Sequence, residues 1–364
     1  MLSLFLIKGK ALTMQLSVSK KNVEHAAFAD ELQLVTLTNS HGLEVVLSNY
    51  GASIWSVKLY GKDEQPISLS LGYQDIKDWA TNPYYFGITA GRVANRIGKA
   101  QFPLAGKTIL LVANEGNNQL HGGPKGLSHC TWQVETLQDS DSVAAVFSIT
   151  SPDGDQGFPG NLAIKLEYRL NENNELILSY HATCDQTTPV CLTNHAYWNL
   201  ASDKQQGILE HELTIHASHI LALDNEQIPT GELILVDDGA YDFKQSKLIA
   251  TNIKQLTNGY DHYFVMDRNP GNKNSLQTIA VLKDPLSGRE LEISTTEVGV
   301  QFYSGNFLDG SHIDDEGYSI NQFHGLCLET HGYPNAVNID HFPSVMLEAN
   351  TQYQQITVHK FKNI

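Results

Sequence analysis

From Ile164 to Ala182 the side chains alternate between apolar and polar with a period of two. No other feature of this chain limits its fold as much. Ile164, Leu166, Tyr168 and Leu170 alternate with Lys165, Glu167 and Arg169, the run NENNE (171–175) reverses the chain, and Leu176, Leu178, Tyr180 and Ala182 resume the pattern. Successive side chains of a strand point to opposite faces, so this stretch predicts an antiparallel hairpin with one buried face. Shorter runs of the same kind lie at 32–38, 43–48, 52–60, 143–149, 279–283, 291–295 and 354–359. Turn-forming segments such as NSHG, SPDGDQGFPG and DPLSG separate them. Helical periodicity is confined to short pieces around Ile76–Trp79 and Leu248–Leu256. No linker, low-complexity stretch or fixed-period repeat divides the chain. The expectation is an all-β protein with few short helices: one large β-sandwich domain over residues 23–364, with residues 1–22 as an extension outside the core.

Charge narrows the partners. There are 40 Asp and Glu against 24 Lys and Arg, a formal net charge of −16. Such a surface repels phosphate backbones and anionic lipids, so neither nucleic acid nor membrane is an expected partner. Solubility alone also accounts for the acidity. Cys130, Cys184, Cys191 and Cys327 are scattered without a CxxC spacing, which fits free thiols in a reducing compartment and points to the cytoplasm. The opening MLSLFLIKGK is too short in apolar residues for a spanning helix and lacks the basic start of a signal peptide, and Met14 is an alternative initiator. Monomer or homodimer are both open.

Polar and aromatic residues crowd together without alternation in a few segments. These are GRVANRIGKAQF (91–102), NQLHGG (118–123), TNHAYWNL (193–200), NGYDHYF (258–264) with VQFYSGNF (300–307), and CLETHGYPNAVN (327–338). Aromatic rings beside amides suit a sugar, whose C–H faces stack on rings while its hydroxyls take polar contacts. His195 in TNHAYWNL is therefore a candidate, although taken alone it is more simply a core histidine bonded to a carbonyl. Glu329 stands between apolar Cys327–Leu328 and polar Thr330–His331. Buried, it would have a raised pKa and serve as a base near neutrality, whereas an outward-facing strand residue explains it equally well. Asn95 and Arg96 can hold hydroxyls by fork geometry, or Arg96 can bond loop carbonyls. His121 is a ligand or a turn residue, and Asp261 a hydroxyl acceptor or an Asx turn.

Other patterns carry no chemistry. HELTIH (211–216) spaces its histidines five apart, off a shared helix face. DGDQG (153–157) lacks the distal Glu of a calcium loop. The glycines at 154–160 have no strand-then-helix context, and there is no GxSxG or Walker A motif. Neither metal nor organic cofactor is indicated.

Taken in order over roughly residues 30–362, these segments, with NYGASIWSVKL, SPDGDQGFPG, LDNEQIPTGE and GVQFYSGNFLDG, resemble the aldose 1-epimerase (galactose mutarotase) family. The resemblance implies a galactose mutarotase-like β-supersandwich with an open cleft, no cofactor, and a free aldohexose such as galactose or glucose as substrate. It implies Glu329 as general base and His195 as general acid. It also implies Asn95, Arg96, His121, Asp261 and Gln301 as substrate ligands. Two positions depart from the family's pattern. His331 replaces the usual Gln after the LET triplet, beside the base, and Glu348-Ala349-Asn350 replaces an Arg-Pro-Gly turn.

Three other functions compete. A glycoside hydrolase would need two carboxyls across a scissile bond. A sugar-binding module would keep the aromatics and Arg96 but have no need of Glu329 and His195 together. A hexose-phosphate epimerase would want an additional basic cluster.

Overall fold

The computed structural model describes residues 14–60, 65–268 and 275–364. The hairpin forms as its alternation requires. Leu162–Asn171 pairs with Glu175–Cys184, Leu166 opposite Tyr180 and Tyr168 opposite Leu178. Leu162, Ile164, Leu166, Tyr168 and Leu170 are all buried, while Ala163 and Lys165 face water. The reversal is locked by the Asn171 side chain, which accepts the N–H groups of Asn173 and Glu175.

This hairpin belongs to a nine-stranded antiparallel sheet. Its order is Gln133–Gln138, Ser142–Ser151, Leu162–Asn171, Glu175–Cys184, Gln352–Lys362, Glu290–Thr295, Gln277–Lys283, Glu212–Ile215 and Lys247–Leu248. Gln352–Lys362 thus lies in the middle of the sheet, between strands that precede it by roughly 60 and 170 residues of chain. A five-stranded sheet runs in sequence order from Ser17–Val23 to Ile67–Ser68. A second one has the order Pro229–Leu235, Ala217–Leu223, Asp261–Met266, Gly299–Tyr303 and Cys327–Thr330. One continuous apolar core joins the inward side chains of all three sheets, among them Val35, Leu37, Phe147, Leu166, Phe264, Phe302 and Leu328. Among the described residues the α-helices are Ile76–Thr81 and Ala250–Ile253, one in each of the two stretches where helical periodicity was expected.

Residues 1–13 of the expected extension lie outside the described residues. The rest of it behaves differently from the expectation: Ser17–Val23 pairs along Leu32–Thr38 throughout its length. Most of its side chains stay exposed, so it joins the sheet through its backbone and leaves little apolar pattern to read. Cys130, Cys184, Cys191 and Cys327 are free thiols. Among the described residues no helix is long and apolar enough to cross a membrane.

Candidate active site

In the second five-stranded sheet, alternation divides core from cleft. Val300, Phe302 and Leu328 enter the core, whereas Gln301, Tyr303 and Glu329 point the other way and line a cavity of about 170 Å³. Register sets their neighbours: Gln301 pairs with Glu329, and Asp261 with Tyr303. His195 follows the short strand Thr193–Asn194, and its own backbone bonds to Ile88 and Gly87. The histidine ring thereby meets Glu329, His195 Nε2 lying 3.5 Å from Glu329 Oε1. Glu329 is 3% exposed and His195 5%.

All seven residues expected in the site line this one cavity: Asn95, Arg96, His121, His195, Asp261, Gln301 and Glu329. Asn95 and His121 both hold positive φ, 60° and 50°. Such backbone is uncommon for residues other than glycine and tends to gather at functional sites. The two are tied together. The His121 N–H donates to the Asn95 carbonyl at 3.0 Å, and the Asn95 N–H donates to His121 Nδ1 at 3.3 Å. Gly122 and Gly123 then turn the chain away. At Gly122, φ is +85° and a β-carbon would stand 1.9 Å from the Gly91 carbonyl oxygen, so only glycine fits.

Arg96 is clamped in bidentate fashion by Glu115, with bonds of 2.7 and 2.8 Å, and its Nη1 lies 4.0 Å from Asp261. Burial works against its charge, but the Glu115 bonds and the Asp261 field hold its pKa above the usual value. The Gln301 amide donates to Asp261 at 2.6 Å. Burial raises the Asp261 carboxyl, with Arg96 and Gln301 opposing. Burial, reinforced by Asp261 and opposed by Arg96, pushes Glu329 well above the carboxylate range, and burial lowers His195 to about 4. Burial also drives His121 well below its ordinary value.

His121, His195 and Glu329 bring one ligand atom each to within 4.8 Å of one another and could hold a metal ion. The proton pattern at His121 suits another partner. With Nδ1 accepting from Asn95, the neutral ring carries its proton on Nε2, a donor for a hydroxyl oxygen but not a metal ligand.

Several expectations drawn from single segments need correction. In TNHAYWNL only His195 and Tyr197 reach the cavity. The Asn194 amide donates to Gly87, Trp198 packs in the core against His359 and Phe361, and the Asn199 amide donates to the His324 carbonyl. The arginine bonded to loop carbonyls is Arg92, which donates to Ser151, Pro152, Pro159 and Gly160 and so organises the SPDGDQGFPG turn. HELTIH, in line with its spacing, forms no helix: it is strand Glu212–Ile215 preceded by buried His211, whose Nε2 accepts the Leu200 N–H. Tyr303 and Phe307 of VQFYSGNF join the cavity wall, and Pro83, Tyr84, Tyr85 and Glu115 reach it from outside the segments singled out in the sequence. Glu115 stands six residues before His121 in a polar loop, and nothing in its immediate sequence sets it apart.

A buried Glu–His pair in a polar cleft on a β-sandwich fits a carbohydrate isomerase. The chain belongs to the aldose 1-epimerase family, whose model matches residues 33–360. It is 39% identical to galactose mutarotase of Sus scrofa over 319 residues, covering 87% of this chain and 91% of that protein. It is 33% identical to aldose 1-epimerase of Escherichia coli K12, covering 90% and 95%. Among solved structures, the aldose epimerase homologue from C. elegans superposes with a TM-score of 0.82 at 31% identity, covering 90% of this chain and 98% of that one. Galactose 1-epimerase from Lactobacillus acidophilus shares the fold with a TM-score of 0.83 at 24% identity, covering 96% and 99%.

Proposed function

We propose that this epimerase interconverts the α and β anomers of free aldohexoses such as galactose and glucose, with Glu329 as base and His195 as acid. One observation carries the assignment: Glu329 Oε1 and His195 Nε2 stand 3.5 Å apart in a buried cleft. Ring opening removes the proton from the C1 hydroxyl and protonates the ring oxygen. Both oxygens are bonded to C1, so the two groups serving them must be close neighbours. A glycosidase instead spreads two carboxyls about 5 Å or more apart across the bond it cuts.

Glu329 takes the O1 proton while His195 protonates the ring oxygen. The aldehyde rotates about C1–C2, the ring recloses on either face, and the two residues exchange roles. The pair carries one proton throughout. That proton is on His195 before ring opening and on Glu329 after it; burial raises the Glu329 pKa, and the Arg96 charge opposes this and favours the ionised carboxylate that the base requires. Arg96, Asn95, His121, Asp261 and Gln301 bind the remaining hydroxyls. The chemistry runs on side chains alone. Free thiols support a cytoplasmic location.

Polarimetry of freshly dissolved α-D-galactose and α-D-glucose tests this. Glu329→Gln and His195→Asn are each expected to lose about 10²-fold or more of the catalysed rate. Either variant keeping most of the wild-type activity would overturn the mechanism.

A further inference from the structure

The Glu329 carboxyl is held by few bonds of its own. Glu329 Oε2 is buried without a hydrogen-bond partner, and Oε1 meets His195. The direction of the carboxyl must therefore come from the backbone that carries it. That backbone is a strand of only four residues, Cys327–Thr330, whose pairing with Gly299–Tyr303 ends at Val300 opposite Thr330.

One residue further on, the His331 carbonyl is taken by a side chain from the strand beyond. The Tyr263 hydroxyl donates to it at 2.5 Å. Tyr263 can reach because Gly299 stands in the intervening strand. A β-carbon there would lie 2.5 Å from the tyrosine oxygen and 2.6 Å from its Cε1. The His331 ring is fixed as well, Nδ1 meeting the Gly332 carbonyl at 2.6 Å and the ring lying 5.2 Å from that of Tyr263. Tyr263 is 1% exposed and His331 is fully buried. In register, Tyr263 stands opposite Gln301, and Gln301 opposite Glu329, so the tyrosine begins the row that ends at the base.

We propose that Tyr263 is a positioning residue for Glu329: its hydroxyl crosses Gly299, fixes the His331 peptide two residues after the base, and so sets the carboxyl against His195. This rests on Glu329 being the base. Tyr263→Phe keeps the ring and removes the hydroxyl, leaving the His331 carbonyl buried and unpaired.

Mutarotation kinetics of Tyr263→Phe should show kcat for galactose lowered about tenfold or more, because small displacements of a catalytic group weigh heavily on the rate. KM should stay within about threefold, since the sugar-binding groups are untouched. In a Glu329→Gln background the same change should lower the residual rate no further, because its effect passes through the base. A kcat within twofold of wild type, a fall matched by KM, or full additivity with Glu329→Gln would each overturn the proposal. If Tyr263→Phe does not fold, Tyr263→4-aminophenylalanine, which keeps the ring and sets a weaker donor on the same carbonyl, decides instead: kcat should fall at least about threefold with KM unchanged, and an unchanged kcat would overturn the proposal. Substantial activity in Glu329→Gln alone would instead reject the base assignment, whatever Tyr263 does.

Discussion

Arg96 is central to the charge balance of the cleft. Its guanidinium is divided between a two-bond clamp to Glu115 and a looser approach to Asp261. The clamp fixes the plane of the fork, so the nitrogen nearer Asp261 faces the cavity in one orientation. Glu115→Gln keeps the shape but exchanges a charged acceptor for a neutral amide. It is expected to raise KM for galactose by about tenfold while kcat changes by less than about threefold, read from polarimetric initial rates. Arg96 was visible in the sequence as a candidate, but its partner was not. Glu115 contributes through a salt bridge set by tertiary packing, and a polar loop gives no period from which that could be read. Glu329 was ambiguous for a related reason. Its strand is buried on both faces, so the alternation that separates inward from outward residues is missing there.

At the level of elements, the parts legible in the sequence are those with one wet face. The Leu162–Asn171 and Glu175–Cys184 hairpin follows its own alternation residue by residue. The turn carrying His121 is set by a single close approach instead. Gly122→Ala would bring a methyl group against the Gly91 carbonyl at a φ of +85°. Backbone strain of this kind costs ~1–3 kcal/mol. The variant is expected to unfold at lower urea concentration and to bind galactose more weakly, because Asn95 and His121 share their bonds across this turn. Urea melts paired with sugar titration would check both effects. An unchanged urea midpoint would show that the turn can relax. The strand Ser17–Val23 escaped the reading for the converse reason. It is held by backbone pairing, and its exposed side chains leave no pattern.

Across the whole molecule, burial lowers the pKa of many histidines. His195, His211, His262, His331 and His359 are each lowered to about 4, and His121 well below its ordinary value, with desolvation the largest cause in every case. In the unfolded chain these rings take up protons near pH 6.5. Between pH 6.5 and about 4 the unfolded state binds more protons, so stability is lost as pH falls through that window. Buried Glu297, raised to about 7, works in the opposite direction, as do Glu329 and Asp261, but they are fewer. The urea midpoint is therefore expected to be lower at pH 5 than at pH 7, and a higher midpoint at pH 5 would show that the carboxyls dominate. The order of the nine-stranded sheet has a different consequence. Gln352–Lys362 bridges the Glu175–Cys184 and Glu290–Thr295 strands, so during synthesis both halves leave the ribosome with an open edge facing the gap between them. Until that segment emerges, each half presents unpaired backbone to any passing strand. The nascent chain's hazard is thus concentrated at the seam that this strand closes in the mature form.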